Sequence, residues 1–89
     1  MSELKQAVED TINELKTQRD ELELQIHLGA AEAKDEYQKA KHKFDDMLKQ
    51  YAPVKDAVDE SAENVWESLT LVGEEIKNSF TRIAGSIKH

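Results

Sequence analysis

Hydrophobic and polar residues alternate along this chain with one period from end to end. From residue 54 the chain reads as stacked elevens: VKDAVDESAEN, VWESLTLVGEE, IKNSFTRIAGS and the start of a fourth, IKH. Val54, Val65, Ile76 and Ile87 form one column, Val58, Leu69 and Phe80 a second. Ala62, Gly73 and Ala84 form a third column, of small residues. Eleven residues over three turns give about 3.67 per turn, so a stripe with this spacing runs nearly straight along a helix. Leu4, Leu15, Ile26, Tyr37 and Leu48 carry the same spacing through the N-terminal part. The middle also reads in sevens: Ala33, Ala40, Met47 and Val54 alternate with Tyr37, Phe44, Tyr51 and Val58, the spacing of helices packed on helices. The segment LELQIHL, residues 22–28, alternates as a strand would. It has no second strand to pair with, and a lone strand leaves its backbone polar groups unsatisfied. Helix is the expectation throughout.

Two residues interrupt the pattern. Pro53, in KQYAPVKD, donates no backbone hydrogen bond and crowds the preceding turn. Gly29, in IHLGAAEA, is a weaker interruption, costing about 1 kcal/mol against alanine. The main break is therefore expected at residues 51–54, giving a single helical domain over 1–89 with one helix over about 3–51 and another over about 54–87. The fold class expected is all-α: a long two-helix antiparallel hairpin, resembling a coiled coil, assembled into a dimeric bundle. With the turn near residue 53, Trp66 would face Ala40, Ala62 would face Phe44, and Gly73 would face Ala33. A kinked continuous helix pairing only between chains is the competing arrangement. In the hairpin, residues 3–17 overhang with a stripe of Leu4, Val8, Ile12 and Leu15. A second chain would cover that stripe, which makes a homodimer the expected partner, with a larger oligomer or another protein as alternatives. The packing and interface residues expected are Leu15, Leu22, Ile26, Tyr37, Ala40, Phe44, Met47, Tyr51, Val58, Ala62, Val65, Trp66, Leu69, Val72, Ile76, Phe80 and Ile83.

Composition narrows the functional classes. Of 89 residues, 38% are hydrophobic and 35% charged, too polar for a thick globular core but sufficient for helices with a narrow apolar stripe. The net charge of −7 disfavours nucleic acid, whose phosphates reward basic surfaces. The absence of cysteine removes thiol nucleophiles, disulfides and zinc–thiolate sites. The N-terminal stretch MSELKQAVEDTINEL has no apolar leader, and no apolar run is long enough to span a bilayer, so a cytoplasmic location is expected.

Candidate chemistry is thin. Glu23 and His27, and His42 and Asp46, are each four apart and share helix faces. Di-iron helical bundles use a three-residue Glu-x-x-His spacing with further glutamates, which this chain lacks. Neither a metal nor a cofactor is expected, with a metal-binding bundle as the remote alternative. No catalytic constellation is visible, and no enzyme is expected.

Charge is unevenly spread. Residues 54–75 hold seven acids against Lys55, whereas IKNSFTRIAGSIKH at the C-terminus carries Lys77, Arg82 and Lys88 and no acid. Ile76, Phe80, Ile83 and Ile87 mark the apolar side of that end. Such a segment can dock its cations on a membrane surface or an acidic partner. Cations near a helix C-terminus also complement the macrodipole while the apolar residues pack on another helix, which is the favoured account.

Two resemblances follow from these residues. The eleven-residue amphipathic lines of 54–87 resemble those of exchangeable apolipoproteins, synucleins and late-embryogenesis-abundant proteins, which implies long helices on lipid or in bundles. IHLGAAEAKDEY and AENVWESLTLVGEEIKNSF resemble a family of small bacterial coiled-coil proteins of unassigned function, which implies a helical hairpin and brings no catalytic residues. The functional expectation is a non-enzymatic structural or protein-interaction helical bundle, with a peripheral lipid-surface protein as the alternative.

Overall fold

A computed structural model describes residues 2–55 and 63–87. Three α-helices make up nearly all of them: α1 (Ser2–Gln25), α2 (Ala31–Tyr51) and α3 (Glu63–Ile87), with a 3-10 turn at Ile26–Leu28. The all-helical class stands, but the helices that pack together number three. The helix expected over 3–51 is divided at 26–30, where Gly29 and Ala30 are extended (ψ of 162° and 165°). The Gly29 N–H closes the turn onto the Ile26 carbonyl at 2.9 Å, and the Lys34 N–H opens α2 on the Ala30 carbonyl at 3.1 Å. Residues 52–55, around Pro53, form a turn, so the last helix does not begin at 54 as expected; Val58 and Ala62 lie outside the described residues.

Contacts across the bundle set its topology. Tyr51 approaches Trp66, Lys43 bonds Glu75 and Tyr37 approaches Phe80, so α2 and α3 are antiparallel. Glu9 meets Tyr51 and Glu23 meets Tyr37, so α1 and α2 are antiparallel too. Glu14 pairs with Lys77, so α1 lies parallel to α3. The result is an up-down-up bundle with extents of 45 × 18 × 17 Å.

The overhang inferred from the hairpin does not exist. Val8, Ile12 and Leu15 are buried between α2 and α3, together with Leu22. Folding α1 back sacrifices a few helical hydrogen bonds at the corner, worth about 1 kcal/mol each. It removes four branched side chains from water, at roughly 1.5–3 kcal/mol each. Burial wins, and the row that called for a second chain is covered within the first.

The core is one continuous cluster. Tyr37, Phe44, Met47, Leu69, Ile76, Phe80 and Ile83 are all at most 1% exposed, with Ala40 and Trp66 beside them. Ile26, Tyr51, Val65 and Val72 are half-buried against it. Ala33, not among the expected packing residues, is also buried. The register differs from the one expected: facing residues of α2 and α3 sum to about 118, not 106. Trp66 therefore stacks edge-on to Tyr51, 5.9 Å between centroids, and not on Ala40. Gly73 sits against Thr11 and Met47, and not against Ala33. At Gly73 the three helices come closest, since a Cβ there would lie 2.8 Å from Thr11 Cγ2 and 3.2 Å from Met47 Cε.

Candidate functional surface

Because α1 packs with α2 through long polar side chains, the seam between them concentrates the structure's specific contacts. The Tyr37 hydroxyl donates to the Glu23 carboxylate, and the Tyr51 hydroxyl donates to Glu9 Oε2 at 2.7 Å. Each tyrosine thus keeps its ring in or against the core and its hydroxyl at the seam, as amphipathic aromatics do. Arg19 lies over the Phe44 ring, 5.4 Å from its centroid, and Lys41 stands 3.8 Å from Glu23 and 6.0 Å above the Tyr37 ring. Burial of Tyr37, and then the neighbouring Glu23 carboxylate, hold its hydroxyl well above the ordinary tyrosine range. This arrangement clamps two helices. It presents no nucleophile–base pair poised on an open site.

The expected docking cations are engaged within the chain. Lys77 pairs with Glu14 at 3.1 Å and Arg82 with Glu36 at 3.6 Å, bridging α3 to α1 and to α2. Lys43 bonds Glu75 at 2.6 Å, which holds that carboxyl below the usual range although it is fully exposed. Lys88 lies outside the described residues. The apolar side of the C-terminal segment is core: Ile76, Phe80 and Ile83 are buried and Ile87 is half-buried at the α1–α2 corner.

His27 lies exposed on the corner turn and His42 exposed on α2. Among the described residues no three histidine, aspartate or glutamate side chains converge where a metal ion would sit. A slot of about 90 Å³ lies between α1 and α3, lined by Gln18, Glu21, Leu22, Gln25, Phe80 and Ala84. Gln18 Oε1 is buried beside it without a hydrogen-bond partner. The slot is smaller than a cavity that holds benzene, about 150 Å³.

Outside, the faces differ. Helix α1 carries seven acids against Lys5, Lys16 and Arg19, whereas α2 balances five acids with five lysines. Among the described residues, Leu24, Leu28 and Leu71 are the large apolar side chains left open to solvent, each 70% exposed or more. Among the described residues no helix is long and apolar enough to cross a membrane. The tyrosine–carboxylate clamp was not anticipated from sequence, although Glu9 and Glu23, and Tyr37 and Tyr51, each stand fourteen apart and so lie on one side of α1 and of α2. Comparison of the chain with family models, with curated proteins and with solved structures finds no match.

Proposed function

We propose that this chain is a non-enzymatic helical-bundle protein whose work is structural, presenting helical surfaces to protein partners, a second copy among them. The observation that supports this most is how the aromatic residues are used. Tyr37, Phe44, Trp66 and Phe80 are all consumed in holding three helices together, and Tyr51 ties α2 to α1 and α3. An acidic exterior some 45 Å long with leucines set into it points the same way.

The lipid-surface reading makes a different demand. Ile76, Phe80 and Ile83 would have to leave the core to meet a bilayer, exposing Leu69 and Phe44 behind them. Tryptophan emission separates the two. Trp66 is 5% exposed, so the interaction reading expects blue-shifted emission in buffer that anionic and neutral vesicles leave unchanged. Red emission in buffer that turns blue on adding vesicles would replace it with the lipid reading.

A further inference from the structure

The corner between α1 and α2 is a break that the residues around it barely specify. No side chain caps either side of it: Gln25 before the 3-10 turn and Ala30 before α2 make no capping hydrogen bond. No described residue has a positive φ, so the corner uses no backbone conformation that a helix-forming residue would resist. The spacing of the packing positions also runs through it without a pause. Val8, Ile12, Leu15, Arg19, Leu22, Ile26, Ala30, Ala33, Tyr37, Ala40, Phe44, Met47 and Tyr51 follow one another by threes and fours, as on a single unbroken helix, although Ala30 itself is exposed in the folded-back chain.

The contacts between α1 and α2 carry a symmetry of their own. Glu9 bonds Tyr51 and Glu23 bonds Tyr37, so both pairs sum to 60. Were α1 and α2 one straight helix, those four residues would stand at equal intervals along one face. Two such helices laid antiparallel would then form each bond twice, about a twofold axis at residue 30. The residues at that axis are Gly29 and Ala30, with Ala33 beside them, small enough for two helices to cross closely.

From these observations we infer that the chain has a second, domain-swapped state: residues 2–51 straighten into one helix, and α1 packs on α2 and α3 of a second copy. It rests on the reading of the bundle as an assembly protein and names its partner as this chain. The contacts α1 makes with α2 and α3 in the folded-back chain are remade in the dimer, and only those with the corner turn are given up, which is why swapping is a low-cost route to association. The gain is a restored stretch of helix at each corner, and the opposing cost is Gly29 in a helix interior plus the loss of independent motion.

Two substitutions at the corner move the balance in opposite directions. Gly29→Ala favours the straight helix, and in the folded-back chain its Cβ would lie 3.3 Å from Ala33 Cβ and 3.4 Å from Ile87 Cγ1. Ala31→Pro favours the corner: proline suits the first position of a helix, and Ala30 before it already holds the extended conformation proline requires (φ −69°, ψ 165°). The same proline inside a continuous helix would break it.

The test is sedimentation of the full chain and both variants over a range of concentration. The dimer dissociation constant should fall at least tenfold in Gly29→Ala, and Ala31→Pro should remain a helical monomer. Nitroxides on Thr17→Cys and His42→Cys, with labelled Gly29→Ala chains diluted into unlabelled ones, then report the within-chain distance. A straight helix places these residues about 38 Å apart at 1.5 Å per residue. Folded back, they sit nearly opposite each other on the antiparallel α1 and α2, at well under that distance. Equal association by Gly29→Ala and the parent chain, or a dimer retaining the short within-chain distance, overturns the swap. If Ala31→Pro does not fold, the Gly29→Ala arm decides alone. A vesicle-induced shift of Trp66 emission would strike the interaction reading and leave these corner measurements untouched.

Discussion

Replacing Gly73 by alanine, and separately Gly85 by alanine, adds the same methyl group to the same helix in two different surroundings. At Gly85 a Cβ would meet nothing within 4 Å, so the substitution changes only helix propensity. Glycine inside a helix costs roughly 0.5–1 kcal/mol against alanine, and Gly85 lies in the last turn of α3, so a gain of about 0.5 kcal/mol is expected. At Gly73 the intrinsic gain is the fuller value of about 1 kcal/mol, since the residue is mid-helix. The new Cβ, however, would stand 2.8 Å from Thr11 Cγ2 and 3.2 Å from Met47 Cε. Methionine is flexible and yields readily, whereas a β-branched threonine on α1 has few rotamers in which to retreat. Forcing a methyl into packing of this kind costs about 1–3 kcal/mol, leaving Gly73→Ala neutral to about 2 kcal/mol less stable than the parent. Thermal unfolding followed by circular dichroism at 222 nm resolves this, because 1 kcal/mol moves the midpoint by about 4–8 °C in a domain of this size. Gly85→Ala should melt slightly above the parent, and Gly73→Ala at or below it. A Gly73→Ala chain melting as high as Gly85→Ala would refute the close three-helix approach and the register built on it.

Other substitutions probe the rest of the bundle. Phe44→Ala empties a fully buried position and should cost about 3–5 kcal/mol in urea denaturation, most of the stability of a small domain. Leu69→Asp places an unpaired carboxylate in the same core and should abolish the cooperative transition; a folded, unchanged Leu69→Asp chain would contradict the core assignment. Stability should decline as pH rises past about 10, where tyrosine ionises in the unfolded chain while the buried, raised Tyr37 stays protonated. Tyr37→Phe should flatten that alkaline decline, and an unaltered profile would show that the hydroxyl is not held at Glu23. At the other extreme, the lowered Glu75 carboxyl contributes stability above the unfolded glutamate range that is lost as pH falls. Lys43→Met should reduce that acid sensitivity only slightly, and raised salt should mask the difference, because the pair is exposed.

Helix was legible in the sequence because apolar spacing and helical geometry are the same fact. Residues at intervals of three and four that bury one stripe have no other regular way to do so, and the core of α2 and α3 follows from that spacing alone. Pro53 likewise marked a place where one helix could not simply run on, since beyond the first turn a proline removes a helical N–H and crowds the turn before it. Spacing is indifferent, however, to whether a stripe continues along a straight helix or folds back at Gly29, because the same residues face the same side in both. Only the tertiary structure decided that α1 returns to cover α2 and α3, since the burial of Val8, Ile12, Leu15 and Leu22 is a sum over three helices that no local window contains. The register followed from that decision: Gly73 had to meet Thr11 as well as Met47, a constraint absent from any two-helix pairing. The engagement of Lys77 with Glu14 depended on it too. Lys77 and Arg82 look free in the sequence, because their partners Glu14 and Glu36 lie 63 and 46 residues away along the chain and become neighbours only once the helices pack.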